Sequence, residues 1–552
     1  MASHSDAAAP GLVRDTISYT RLPWIRPLVD AVAHDYGSVA SLFPGNPASP
    51  AAWRATIDAV RKQPRDHQAM ASLLLAQLTG RGAPPAAVDA ATRLASPDAV
   101  AVVTGQQAGL LGGPLYTLLK AVTTIQMARA ASEAHGVPVV PVFWVDSEDH
   151  DWNEIRPVHV LDRDHALATT TADDLEGAGS LPVGALTFDA RIDQTIDEVA
   201  SRLAPTEFTD ELFTTLRAHY RAGQSPAAAF AGWLDTLLGG EGLVVFDAGD
   251  PGAKRLAGRV FQRELERPCE TARLARERGE RMAAAGHSAQ IVPADDVVCL
   301  FRLDAAGRTA IRCSNGRFTI GDHDVTADQL ATDVADHPEN FSPNVLLRPV
   351  VQDTLFPTVC YVAGPSELAY HAQLADVYEA FDVARPLLVP RASATLLDAA
   401  AARFLDRYEV ELEALQVQDE SALNRLLERQ FPAEVEEAFA ETERHIAASA
   451  ERLASAAAAV DPTLSGAVDT TITRMRDTVR TLQNKIVQAS KKKDETLRRQ
   501  FSRTQALAFP GGQPQERVLN VAFFVNRYGL DLGSRLITLL PRHCDEHYVI
   551  VP

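Results

Sequence analysis

The stretch AVVTGQQAGLLGGPLYTLLK, from Ala101 to Lys120, decides how the chain is read. It opens on a β-branched apolar run that suits a buried strand. It then turns through Gly105, Gly109, Gly112 and Gly113, and continues as a helix from Pro114 to about Ala134. Pro114 fits the first helical turn, where its missing N–H removes no bond. VPVVPVFWV, from Val137 to Val145, is a second buried strand, so the segment is a strand–helix–strand unit. The runs GLVVFDAGD (242–250), VCYVAG (359–364) and RPLLVP (385–390) extend the series. Each is short, continuous and flanked by helical segments, which predicts a parallel sheet covered on both faces. Glycine-rich strand-to-helix turns of this kind hold phosphates in nucleotide-binding proteins, but the spacing here fits neither common phosphate-loop motif.

The chain of 552 residues is long enough for several domains, and 46% of it is hydrophobic. A net charge of −19 argues against nucleic acid or an anionic membrane surface as a partner. The five cysteines, Cys269, Cys299, Cys313, Cys360 and Cys544, form no C-x-x-C pair and no zinc-type spacing, which suits a reducing compartment. MASHSDAAAPGLVRD lacks the basic and apolar regions of a secretory signal. The apolar window Leu110–Ile125 is too short and too interrupted to span a bilayer. A cytoplasmic protein is expected.

Residues 1–97 read as helices supporting the core, with Trp24, Ile25, Leu28, Val29 and Val32 at helical spacing. The core, 98–390, carries two insertions. One lies near 155–215 and includes ALTFDARI. The other lies near 290–345, where VVCLFRLD and RTAIRCSNGRFTI alternate like antiparallel strands. Residues 391–508 read as an antiparallel helical hairpin. Val468, Ile472, Met475, Val479, Leu482 and Ile486 form an a/d seam, and Val435, Phe439, Ile446 and Leu453 lie on the preceding arm. Asp461-Pro462-Thr463 marks the turn between the arms. Residues 391–460 hold 14 acidic and 7 basic side chains, and residues 461–508 hold 5 and 10, so the arms are electrostatically complementary. An arm of 45 residues would be roughly 65 Å long. The apolar seam exceeds what pairing of the two arms needs, which suggests a dimer. The tail, 509–552, regains aromatic and β-branched residues and is expected to pack back on the core.

Three stretches hold candidate chemistry. In the first, the glycines let backbone approach a ligand, and the helix starting near Pro114 aims N–H groups at the loop, which favours an anion. Gln106 and Gln107 add neutral donors and acceptors, and Lys120 could reach phosphate or carboxylate. Tight strand–helix packing would ask for the same glycines. In the second, WVDSEDHDWNEI, the side chains Asp146, Glu148, Asp149, His150, Asp151 and Glu154 crowd the carboxyl end of a strand, where open α/β sheets bind ligands. His150 could act as a general base and the carboxylates could hold an ammonium group, although a solvated acidic loop has the same composition. Nothing in the spacing fixes a metal geometry. In the third, Asn344, Arg348, Gln352 and Asp353 precede the strand ending at Gly364, and Glu367, Tyr370 and His371 follow it. Arg348 could pair bidentately with carboxylate or phosphate. Arg385 and Arg391 flank the next strand.

Taken together, TGQQAGLLGGPLYTLLKA, FWVDSEDHDWNE, NVLLRPVVQDTLFPTVCYVAGPSELAYHAQL and the late PGGQPQERVLN make a pattern far more specific than any one of them. The chain resembles, over nearly its whole length, the bacillithiol biosynthesis cysteine-adding enzymes, the cysteine ligases that complete this low-molecular-weight thiol. It departs from the pattern at Asp146, where a small apolar residue is expected before the S/T-E-D-H-D run. That change adds charge near the pocket.

The resemblance implies a Rossmann-type core with two connecting insertions and an antiparallel coiled-coil arm that dimerises. It also implies a reaction, amide formation between the cysteine carboxyl group and the amine of glucosaminyl-malate. A carboxylate needs activation first, and ATP is the expected donor. Likeness to class I aminoacyl-tRNA synthetases is at fold level only, and no HIGH or KMSKS signature is legible. Lys491-Lys492-Lys493 reads as a solvated basic face.

The expected roles follow from that reaction. Phosphate or malate lies over Gly105–Gly113 with Lys120 and Arg348, and Gln106 and Gln107 bridge hydroxyls. An amine sits near Glu148, Asp149 and Asp151, with His150 as its base, and Gly109 and His150 share one cavity. Gly112, Gly113, Asn344, Gln352, Asp353, Glu367 and Tyr370 complete the expected binding set. A ligase or nucleotidyltransferase acting on a different amino-sugar acceptor, and a non-catalytic coiled-coil scaffold, remain as alternatives.

Overall fold

The five apolar runs pair as a single parallel sheet. They are seen in a computed structural model that describes residues 12–429, 433–493, 495–542 and 544–552. Its strands run in chain order as β1 (Leu12–Ser18), β2 (Val100–Gln107), β3 (Val139–Asp146), β4 (Pro157–Leu161), β5 (Leu167–Thr171), β6 (Val244–Asp247), β7 (Val297–Asp304), β8 (Gly307–Ser314), β9 (Arg317–Ile320), β10 (His323–Val325), β11 (Phe341–Pro343), β12 (Thr358–Ala363), β13 (Leu387–Pro390), β14 (Ser393–Leu396) and β15 (Glu546–Val551). The chain divides into two compact units. One holds the residues through Asp398 together with Gln513–Pro552, and the other is Ala399–Gly512.

In the first unit the central sheet has the order β13-β12-β2-β3-β6, and every pair in it is parallel. Val100 to Gly105 are all buried, as are Val139 to Val145. Successive side chains point to opposite faces, so both faces are covered, and the strands read as continuous apolar runs for that reason. The helix Leu115–His135 joins β2 to β3. It starts after Pro114 and ends at Gly136, whose φ of 65° gives the left-handed cap that glycine adopts without strain. β3 and β12 lie on opposite sides of β2, so the strand order reverses there. The carboxyl ends on either side of that point form the crevice that α/β sheets use for ligands.

The second insertion is a five-stranded antiparallel sheet, β10-β9-β8-β7-β11, and the first contains the β4–β5 hairpin. ALTFDARI supplies no strand; its last residues begin the helix Arg191–Arg202. A third sheet has the order β1-β15-β14. Two expectations change here. Residues before 97 are not all helical, because LVRDTIS forms β1, antiparallel to β15. The chain just past 390 is not helical either, because SATL forms β14, parallel to β15. The tail joins this unit: Gln126 Nε2 donates to Leu540 O at 2.7 Å, and Asn520 Nδ2 donates to Leu110 O at 2.8 Å.

The second unit is helical. Ala433–Val460 and Ser465–Lys493 pack against each other as a hairpin, with Asp461 Oδ1 accepting from the Thr463 N–H at 2.8 Å in the turn. The arms have 28 and 29 residues, fewer than the 45 expected. The remainder folds as shorter helices, Ala399–Tyr408, Ser421–Arg429 and Glu495–Ala508. The first of these ends where Glu409 turns left-handed, with φ 51°. Ile472 is buried in the seam, whereas Leu453, Met475 and Leu482 stay 50%, 48% and 53% exposed. The side chains of Lys491-Lys492-Lys493 lie outside the described set.

Candidate functional site

A cavity of about 430 Å³ opens at the carboxyl edge of the central sheet. Its wall includes Gly105–Gln107 from the end of β2, Asp146 at the end of β3 with Glu148 and Asp149 just after it, and Gly364–Glu367 after β12. Pairing of Gln107 with Asp146 across the two strands sets these groups side by side. Three sequence-distant stretches therefore meet in one hollow because parallel strands deliver their carboxyl ends to the same edge.

Lys120 is buried and anchors the β2 side. Its Nζ donates to Gly105 O at 2.6 Å and Gln106 Oε1 at 3.0 Å, and it pairs with Glu367 Oε2 at 2.5 Å. Glu367 also accepts from Tyr361 Oη and from the Gly364 N–H, both at 2.6 Å. Lys120 thus spends its charge inside the protein. Gln107 Nε2 donates to Asp149 Oδ2 at 2.5 Å and to Glu154 Oε2 at 2.9 Å, which fixes the acidic loop against β2.

Arg348 is buried and has no carboxylate within ion-pair distance among the described residues. Its Nη1 donates to Gln352 Oε1 at 3.0 Å and its Nη2 to Tyr370 Oη at 3.1 Å. Gln352 in turn donates to Asp353 Oδ1 at 2.9 Å, and Tyr378 Oη donates to Asp353 Oδ2 at 2.5 Å. Gln352 and Asp353 are absent from the lining and orient Arg348 from behind. Burial pushes the Asp353 carboxyl up to about 6, against the hydrogen bonds from Tyr378 and Gln352. His371 is buried between Tyr361 and Tyr370, with ring centroids 4.7 and 4.9 Å away, and burial holds its pKa low. Asn344 lines the cavity, and its Oδ1 accepts from the Leu346 N–H at 2.9 Å.

The glycine turn does not hold an anion in the way expected. Gly109, Gly112 and Gly113 are outside the lining. The Gly109 N–H donates to Gln107 O, Gly112 to Gly109 O, Gly113 to Leu110 O, and Leu115 to Leu519 O, so these donors are taken. A Cβ on Gly112 would meet Trp233 Nε1 at 2.7 Å, and Gly112 has φ 99°. Close packing against Trp233 and Val521 is what requires glycine there. The shared cavity accordingly begins at Gly105 rather than at Gly109.

The acidic loop is also more differentiated than its sequence. Glu148 is buried and ion-paired with Lys254, whose Nζ also donates to Phe341 O at 2.6 Å. Asp151 caps the short helix Trp152–Ile155, accepting from the Glu154 N–H at 3.1 Å, and is not in the lining. His150 is 43% exposed and outside the lining; its Nδ1 lies 3.6 Å from Asp149 Oδ1 and 3.4 Å from Arg308 Nη1.

Sequence reading missed Arg308 and Arg517. Arg308, on β8, reaches the cavity from the second insertion. Its Nε donates to Ser342 Oγ at 3.1 Å, its Nη2 to Pro343 O at 2.9 Å, and its guanidinium lies 3.9 Å from the Phe301 ring centroid. No motif surrounds it, so nothing in the sequence pointed to it. Arg517 was visible only as part of PGGQPQERVLN. Gln515 brackets β14, bonding the Leu396 N–H at 2.8 Å and Leu396 O at 2.9 Å. Glu516 pairs with Arg391 at 2.8 Å and accepts from the Ala394 N–H at 2.9 Å. Arg517 lines the cavity with no side-chain hydrogen bond or ion pair among the described residues. Among the described residues the cavity therefore offers three guanidinium groups without carboxylate partners, Arg308, Arg348 and Arg517, next to a crop of carboxylates. Such a site matches a ligand bearing both anionic and ammonium groups.

Among the described residues no group of three or more His, Cys, Asp or Glu side chains is placed to hold a metal ion, and no helix is long and apolar enough to cross a membrane.

Comparison with known proteins gives two family matches. Residues 15–392 match the bacillithiol biosynthesis BshC N-terminal Rossmann-like domain, and residues 394–552 match the BshC C-terminal coiled-coil domain. The protein named "Putative cysteine ligase BshC" from Salinibacter ruber is 33% identical over 522 residues, 94% of each chain. Proteins of the same name from Koribacter versatilis and Chlorobaculum tepidum are 32% and 33% identical. They cover 90% and 83% of this chain and 92% and 84% of their own.

Proposed function

The chain belongs to the bacillithiol biosynthesis BshC family, and we propose that it joins the carboxyl group of cysteine to the amine of glucosaminyl-malate, the last step in making bacillithiol. Its relatives carry the name of cysteine ligases. The observation that carries the finer reading is the cavity's mixed lining, with Arg308, Arg348 and Arg517 lacking carboxylate partners among the described residues, beside the carboxylates at the end of β3 and just after it. The acceptor has the matching groups, two malate carboxylates and one amine.

Cysteine's carboxylate is a poor electrophile because oxide does not leave. ATP is the proposed donor, converting that oxygen into part of a phosphate or adenylate leaving group. The three guanidinium groups suit the phosphates or carboxylates of such reactants, since charge-assisted, bidentate bonds are strong in a partly desolvated cavity. Gln106 and Gln107 border the same hollow and suit sugar hydroxyls. Asp149 lines it with one oxygen held by Gln107 and the other by the His150 and Asp151 N–H groups, and adds negative charge beside a bound ammonium group. His150 acts at one remove: its Nδ1 accepts from Arg308 Nη1 at 3.4 Å, and its backbone N–H donates to Asp149 Oδ1 at 2.7 Å.

The hairpin is proposed as a homodimer contact, because pairing of its own two helices leaves Leu453, Met475 and Leu482 about half exposed. The ligase reading is tested by incubating the full-length protein with cysteine, glucosaminyl-malate and ATP and reading products by mass spectrometry. The condensed thiol should form, and it should be absent when ATP is omitted.

A further inference from the structure

We propose that Asp146, a carboxylate standing where the family pattern has a small apolar residue, gives this chain its own site for the ammonium form of the acceptor and takes its proton before amide formation, an assignment that rests on the ligase reading above. The cavity is lined by five carboxylates, Asp146, Glu148, Asp149, Glu154 and Glu367. Four are already engaged. Glu148 pairs with Lys254, Asp149 and Glu154 accept from Gln107, and Glu367 pairs with Lys120. Asp146 alone of the five has no side-chain hydrogen bond or ion pair among the described residues. It is the last residue of β3, in register with Gln107 of β2, and so stands on the cavity's floor at the sheet edge. A carboxylate left without partners in a partly buried hollow is costly unless a ligand supplies one.

The charged and titratable groups around it come from every side. Arg348 and Tyr370 act from the helices Arg348–Leu355 and Pro365–Ala372, Arg308 from β8, and Glu148 and Asp149 from its own loop. Burial pushes the Asp146 carboxyl up to about 6 against the pull of Arg348, with Asp149 and Glu148 adding to the rise and Arg308 opposing it. It is therefore ionised at neutral pH, yet a far better proton acceptor than an ordinary aspartate.

The acceptor's ammonium gives one proton to an Asp146 oxygen. The freed nitrogen lone pair forms the N–C bond at the activated cysteine carbonyl. The C–O bond to the phosphate or adenylyl oxygen breaks, and its electron pair leaves with that oxygen. The second N–H proton goes to solvent.

The test uses full-length parent protein, Asp146→Asn, Asp146→Ala and Asp146→Glu, with circular dichroism to check folding. In the binding arm, melting is followed with millimolar glucosamine or N-acetylglucosamine. The parent should be stabilised more by the free amine at pH 7.5 and lose that preference below pH 5, and Asn and Ala should lack it at both. In the turnover arm, the parent's rate should fall about tenfold per pH unit below about 6, as a base that must be ionised requires. Asn should cut kcat by about 10²-fold and flatten that limb, and Glu should restore part of the rate. Retention of the amine preference and of the acid limb in both Asn and Ala would overturn the assignment, as would a parent with no amine preference. An Asp146-dependent preference in a protein that makes no amide would overturn the ligase reading and leave the amine site standing.

Discussion

Lys120 Nζ lies 2.5 Å from Glu367 Oε2 and 2.6 Å from Gly105 O, so one ammonium group ties together the helix after β2, the end of β2 and the turn after β12. These are the two sides of the point where the strand order reverses, and the pair holds the cavity's back wall.

Burial alone would raise Glu367, but the Lys120 charge and its hydrogen bonds hold the carboxyl below the usual range. A depressed folded pKa contributes stability above the unfolded value, about 4.3, and that contribution is lost as pH falls through the folded value. Glu367→Gln should therefore cost about 3 kcal/mol at pH 7, the low end for a buried pair because Glu367 keeps 18% side-chain exposure. Urea unfolding should show parent and variant converging at acid pH. Equal stability at pH 7 would remove the pair's structural role.

Glu148 and Lys254 make a sharper distinction, between holding the fold and doing chemistry. Lys254→Met should destabilise the protein by about 3–5 kcal/mol, because it leaves a buried carboxylate unpaired. The double variant Lys254→Met with Glu148→Leu should recover most of that loss. If the double variant is as unstable as the single one, the cost lies in packing and not in the unpaired charge.

Arg308 and His150 should separate binding from positioning. Arg308→Ala should lower kcat/KM by about tenfold to hundredfold through the anionic substrate, the worth of a lost charge-assisted hydrogen bond. His150→Ala should cost about tenfold, because its ring acts through Arg308, whereas Asp149→Asn, which removes a charge from the cavity, should cost about 10²-fold. Steady-state kinetics on folded variants read all three. A His150→Ala loss as large as that of Asp146→Asn would place the base back on His150.

The central sheet was legible because a strand buried on both faces has to be apolar throughout, and VVPVFWVD advertises this directly. β1 was not, because LVRDTIS buries only Ile17 fully and its pairing partner, β15, is more than 500 residues away. The glycine turn misled for a physical reason: Gly112 packed under Trp233 and a glycine opened to a phosphate look identical as letters. The acidic loop was visible as a cluster, but its division of labour was not. That division depends on Lys254 and Gln107, one of them 106 residues from its partner Glu148. Arg308 reaches the cavity only through the fold of the second insertion, so its place could not be read from neighbours in sequence.

The hairpin prediction is independent of the cavity. Met475→Glu combined with Leu482→Glu should convert a dimer to monomers in sedimentation velocity, with helix content unchanged, because both side chains are about half exposed and can take charge in the single chain. Unchanged sedimentation would move the contact elsewhere.

The account's central claim is that this cavity joins an activated cysteine carboxyl to an amine, and an oxygen label follows that event atom by atom. Full-length protein is incubated with cysteine carrying two ¹⁸O atoms in its carboxyl group, glucosaminyl-malate and ATP. The amide should retain one labelled oxygen, and the other should appear on the phosphate or AMP released. Failure to form the amide, or an amide formed while phosphate and AMP stay unlabelled, would contradict the account.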